Sequence, residues 1–192
     1  LVEDGIWGSK SIAAGAKHDF AVTATPIKQP SLPQGKGLLW YPLAKKHAKT
    51  MKAAGTFKYK YPVLIVVHFT AGRYEKGAQN AFNSIDDGIK NGYNYMCIAT
   101  DGTAVQASPL DKWGYHAGES SWSKYLPKWV SGSVSDESVG IEMNNAGKLE
   151  KTSDGRYKTW FGTYIPASDV RYVTEKELGC PTGYYHKYTS AQ

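Results

Sequence analysis

His68 follows five branched apolar residues, Val63-Leu64-Ile65-Val66-Val67, and precedes Phe69-Thr70-Ala71-Gly72. Such a run reads as a strand buried on both faces. Small residues open the backbone at its C-terminal end, so the imidazole there is held rigidly and faces a crevice. A sheet-based enzyme places a metal ligand or a catalytic base at that point. Glu142 closes a second apolar run, Ser138-Val139-Gly140-Ile141. A carboxylate among buried neighbours needs a metal or a proton to manage. Two further motifs lie between them. Gly92-Tyr93-Asn94-Tyr95 opens a strand running into Asp101-Gly102-Thr103, and Trp113-Gly114-Tyr115-His116-Ala117-Gly118 falls in a loop.

Each residue also has a plainer reading. His68 suits a core histidine bonded to backbone, and Glu142 a surface acid on an edge strand. Tyr93 suits packing at a strand start, and His116 an exposed loop position. For Trp113 and Trp122, packing competes with sugar stacking. His18 and His47 read as ordinary surface residues.

The elements that must position these side chains follow from periodicity and punctuation. Pro26, Pro30 and Pro33, with Gly35 and Gly37, make 21–39 a linker. Leu43–Ala54 reads as a helix closed by Gly55. Ala78, Phe82, Ile85 and Ile89 form one apolar stripe and predict a helix over Ala78–Lys90. Tyr93–Thr100 and Thr103–Ala107 read as a hairpin around Asp101-Gly102, a type I′ turn signal. Pro109–Trp129 is a long loop and Ser138–Met143 a strand. Asn144–Gly183 reads as irregular, with short strands near Trp160 and at Arg171–Val173. Strand, helix, hairpin and strand in this order give an α/β domain with a mixed sheet.

Composition narrows the function classes. Hydrophobic residues make up 41% and charged residues 21% of the 192, so a packed core is expected. No apolar run approaches membrane-helix length, which argues against membrane insertion. Leu1-Val2-Glu3-Asp4-Gly5 lacks the pattern of a signal peptide. The net charge of +6 points to an anionic partner: nucleic acid, membrane or cell-wall polymer. Neither zinc-finger spacing nor the aromatic signature of an RNA-binding sheet is present, so nucleic acid is disfavoured. Cys97 reads as a small core residue, and a Cys97–Cys180 disulfide remains an alternative. The absence of Cys-x-x-Cys excludes a cysteine-rich structural zinc site.

Taken in order, the motifs around His68, Tyr93, His116 and Glu142 resemble the zinc-dependent N-acetylmuramoyl-L-alanine amidase family. That family includes phage endolysins, bacterial wall-recycling amidases and peptidoglycan recognition proteins. The resemblance runs from about Tyr61 to Gln192. It implies a catalytic domain over 40–192 built on a central mixed sheet flanked by helices. Asp4-Gly5-Ile6-Trp7-Gly8 and the following residues resemble the last third of a small peptidoglycan-binding module over 1–20.

The resemblance also implies a chemistry. The family hydrolyses the amide between N-acetylmuramic acid and the L-alanine of the stem peptide. Its zinc ion acidifies a bound water and polarises the carbonyl. His68 would be the first zinc ligand. Glu142 would carry the proton from water to the leaving amine, and Tyr93 would help hold the water or the oxyanion. His116 would line the substrate groove, with Trp113 and Thr70 as further contacts. The implied partner is peptidoglycan, so the site of action would be the bacterial cell wall.

The family's second histidine ligand, its aspartate or cysteine ligand and a nearby lysine have no match here. Thr189-Ser190-Ala191-Gln192 reads as an N-cap followed by the start of a helix, so the polypeptide is expected to continue beyond Gln192. The alternatives are recruitment of His116, His186, Asp101 or Cys180 as ligands, or a protein of this fold that binds peptidoglycan without cutting it.

Overall fold

Backbone pairing, more than helix packing, organises the chain. The computed structural model describes residues 39–72, 77–91, 96–118, 133–174 and 181–192. Tyr93, Trp122, Cys180, the 1–20 segment and the linker up to residue 38 lie outside these ranges.

The central sheet runs in the order β1 (Lys45–Lys46), β5 (Ala104–Gln106), β4 (Met96–Ile98), β7 (Ser138–Met143), β3 (Leu64–Phe69). Only the β4–β5 pair is antiparallel, so the sheet is mixed, as expected. One long helix among the described residues, α1 (Ala78–Asn91), covers β4 and β5 on one face. Its Ala81 and Ile85 pack with Cys97, Ala99, Val105 and Ala107, and Phe82 and Ile89 flank them. Cys97 is a free thiol in this core. Burial pushes that thiol up to about 12, with the nearby Glu142 adding to the shift, so it stays protonated.

The opposite face packs Met51, Met96, Ala104 and Val139 against Ala44, Leu110 and Trp113. The expected helix over Leu43–Ala54 does not form. Lys45–Lys46 instead pairs in parallel with Val105–Gln106, and β2 (Gly55–Thr56) pairs with β6 (Lys112–Trp113). Edge pairing here overrides local helix propensity. His47, expected at the surface, is buried against Phe82, with Nε2 3.7 Å from Asp86 Oδ1 on α1.

Two expectations about strands also change. β3 is not buried on both faces, because Ile65 and Val67, which share a face, are 66% and 50% exposed. The β4–β5 hairpin is not a type I′ turn, because Gly102 alone is left-handed (φ +81°). Ala99 accepts from Gly102 N and donates to Thr103 O, both at 2.9 Å, which is a three-residue loop with a glycine bulge.

The stretch expected to be irregular apart from short strands near Trp160 and at Arg171–Val173 forms those strands and joins them with others into a second, antiparallel sheet. Its order is β10 (Tyr164–Ile165), β9 (Tyr157–Lys158), β8 (Lys148–Lys151), β12 (Gly183–His186), β11 (Val170–Val173). Ala146, Leu149 and Ile165 form its core. It docks at the carboxyl ends of β3 and β7. His186 Nδ1 accepts from Ala146 N, Asn145 Nδ2 donates to His186 O, and Phe69 lies over Gly147, where a Cβ would come within 2.7 Å of its ring. Thr189 donates to Thr100 O, and Gln192 Nε2 donates to Ile98 O and Asn144 O. Thr189 N donates to Gln192 Oε1 at 3.2 Å, closing a turn over these residues.

Because Ile85 is fully enclosed between α1 and the sheet, replacing it with alanine is expected to lower unfolding free energy by about 2–5 kcal/mol. Urea titration checks this, and an unchanged midpoint would contradict the packing described.

Candidate active site

His68 and Glu142 occupy paired positions on adjacent parallel strands. Side chains alternate along a strand, so register partners share a face, and both groups project on the side that α1 partly covers. The site lies at the carboxyl ends of β3 and β7, beneath the second sheet. Parallel sheets place reactive groups at such ends.

His116 reaches the same face from the loop after β6. Gly140, two residues before Glu142 on β7, makes room for it: a Cβ there would lie 2.7 Å from His116 Cγ. The loop is held by Ser135 Oγ, which accepts from His116 N and Ala117 N at 3.3 and 3.2 Å. Ser135 belongs to α2 (Val134–Glu137), a short helix capped by Ser133.

The hydrogen bonds assign the tautomers. His116 Nε2 lies 3.1 Å from Ser138 O, a pure acceptor, so Nε2 carries the proton. Ser138 Oγ donates to Val134 O and accepts from the same Nε2–H. Burial lowers the His116 pKa and outweighs the Ser138 carbonyl, so the ring is neutral and its Nδ1 is an acceptor. His68 Nε2, 3.0 Å from that Nδ1, must therefore be the donor. Burial, with His116 beside it, lowers His68 to about 4, and its lone pair sits on Nδ1. Ser138 thus orients His116, and His116 orients His68.

Glu142 has the opposite perturbation. Burial pushes its carboxyl up to about 7, and Oε2 has no hydrogen-bond partner among the described residues. A half-buried acid whose enclosed Oε2 is unpartnered and that ionises near neutrality is suited to accept and return a proton. Tyr188, between His186 and Thr189, is also near: Glu142 contributes to raising its phenol, after burial.

The remaining expected site residues are placed differently. Thr70 Oγ1 donates to Asn145 O and accepts from Asn145 N at 3.2 Å, so the hydroxyl ties the ends of β3 and β7 together. Trp113 packs against Gly55 and the Met51–Val139 core, on the opposite face of the sheet from His68 and Glu142. Tyr93 lies outside the described residues. Among the described residues, no three His, Cys, Asp or Glu side chains come together as a metal site. His186 is spent on Ala146 N, Asp101 on Thr103 N at the hairpin, and Cys97 is a protonated core thiol. The described residues offer zinc a neutral His68 but do not complete a site for it. Sequence reasoning did not reach Ser138 and Gly140 as site residues; their alternation with Glu142 on β7 is the signal that finds them.

Glu142 and His68 affect stability with opposite signs. Glu142 stays protonated in the fold up to about pH 7 but ionises near 4.5 when unfolded, so its burial costs stability as pH rises through that window. His68 protonates near 6.5 unfolded and about 4 folded, so stability falls as pH drops through that range. E142Q removes only the first effect. Its gain over the wild type is expected to be small near pH 4.5 and to reach up to about 3 kcal/mol near pH 8. Urea unfolding across that range checks it, and parallel curves for the two proteins would contradict the burial.

The family model described as N-acetylmuramoyl-L-alanine amidase matches residues 58–174, more than half of the chain. No curated protein matches significantly. A solved structure described as the crystal structure of a selenomethionine AmpD derivative is 25% identical, covering 56% of this chain, with a TM-score of 0.39. The match spans 64% of that chain's length. The family match covers both β3 with His68 and β7 with Glu142, and the chain belongs to the N-acetylmuramoyl-L-alanine amidase family.

Proposed function

We propose that this protein is a peptidoglycan hydrolase that cleaves the amide between N-acetylmuramic acid and the L-alanine of the stem peptide, in the role of a wall-lysing endolysin. The observation that carries the reading is the buried Glu142 carboxyl, raised to about 7 and aligned in register with His68. As carboxylate it takes a proton from water, whose oxygen adds to the amide carbonyl. As acid it returns the proton to the departing nitrogen. The C–N bond breaks, one water is consumed, and the lactyl carboxylate and a free L-alanine amine are released.

The neutral His116 and His68 hold their places without adding charge. The reading includes the family's zinc ion, for which His68 is one ligand. Further ligands are required that the described residues do not supply. That shortfall favours a second reading, a protein of this fold that binds peptidoglycan without cutting it.

Mass spectrometry of soluble products from purified peptidoglycan separates the two. Hydrolysis predicts stem peptides with a free N-terminal alanine, lost on adding a zinc chelator. E142Q should reduce the rate by at least about a hundredfold. Wall binding without any release would establish the binding module, and near-normal release by E142Q would remove Glu142 from the chemistry.

A further inference from the structure

Trp160 is 77% exposed, yet it is held on two sides. It sits in the turn between β9 and β10. That turn is closed by Thr159 N to Thr163 O at 2.8 Å and Thr163 N to Thr159 Oγ1 at 2.9 Å, with Gly162 left-handed at φ +91°. Its neighbour Phe161 meets the indole edge-on at 5.3 Å and packs into the Ala146–Leu149–Ile165 core. On the other side, the indole Nε1–H donates to Ala71 O at 2.6 Å.

Ala71 is a non-glycine residue at φ +46°. Left-handed backbone of this kind persists where surroundings fix it, and it concentrates at ligand clamps. Ala71 is three residues beyond His68, at most about 11 Å of extended chain. The second sheet therefore carries a rigid indole to the rim of the active site and leaves a flat face open to water.

The chemistry of that face selects its ligand. Its one donor is already used, so it offers no hydrogen bond. It suits the apolar C–H face of a sugar ring, or a cation. Lys148, Lys151, Arg156 and Lys158 on the adjoining β8–β9 hairpin outnumber Glu150 and Asp154, which disfavours a cationic occupant. We propose that Trp160 is a sugar-stacking platform that binds an N-acetylhexosamine ring of the glycan strand beside the scissile amide. The placement of the glycan rests on the amidase reading; the binding itself does not require hydrolysis.

The probe is tri-N-acetylchitotriose, a glycan without peptide, titrated into the full 192-residue chain. Indole N–H signals are followed by NMR, with W160F identifying the Trp160 resonance. The Trp160 signal should move on titration. W160A should bind at least about tenfold more weakly than wild type, with W160F, which keeps an aromatic face, in between. An unmoved Trp160 signal, W160A affinity equal to wild type, or movement with free stem peptide alone would each overturn the proposal. The wild-type titration decides even if W160A fails to fold. Chitotriose binding with no amide cleavage in the product assay would leave the platform standing and refute the amidase reading.

Discussion

The parallel pairing of β3 with β7 is the constraint on which the rest of the site depends. It sets His68 beside Glu142 and puts Gly140 where His116 must lie. A slip of one residue would send one strand's side chains to the other face, separating the imidazole from the carboxyl. The pairing is reinforced at its carboxyl end, where Thr70 bonds both backbone groups of Asn145. The second sheet then builds on that same end through Gly147 and His186.

Within this frame, burial does the electrostatic tuning. Desolvation favours the neutral form of every ionisable group it reaches. It keeps two imidazoles unprotonated and delays ionisation of the carboxyl to about neutrality. The imidazoles are linked by a chain of hydrogen bonds ending on Ser138, whereas Glu142 Oε2 has no partner among the described residues. The ordered groups position, and the unsatisfied group is the one able to exchange protons.

Much of this was legible in the sequence, for physical reasons that also explain the failures. The runs ending in His68 and Glu142 are apolar and β-branched enough to declare strands, and the stripe through Phe82 and Ile85 declares α1. The 43–54 stretch has helical composition but is claimed by the edge of the sheet, a tertiary pairing that local propensity does not encode. Of the second sheet the sequence shows only the short strands near Trp160 and at Arg171–Val173, because its strands are two to four residues long and rich in lysine and tyrosine. Asp154-Gly155, with Gly155 at φ +82°, was its legible turn signal. Trp113 and His116 are close in sequence, but Trp113 is on β6 and packs into the core on the opposite face of the sheet and edge-on against Tyr115, whereas His116 faces His68.

The most direct test of this account is the ionisation of Glu142 itself. A carbon-13 titration of its side-chain carboxyl, assigned by E142Q, should show a midpoint at about 7, displaced upward by burial. A midpoint near 4.5, the ordinary value, would mean that the carboxyl is solvated or already paired. It would then be an anion throughout the neutral range, and the proton-carrying role assigned to it would fail.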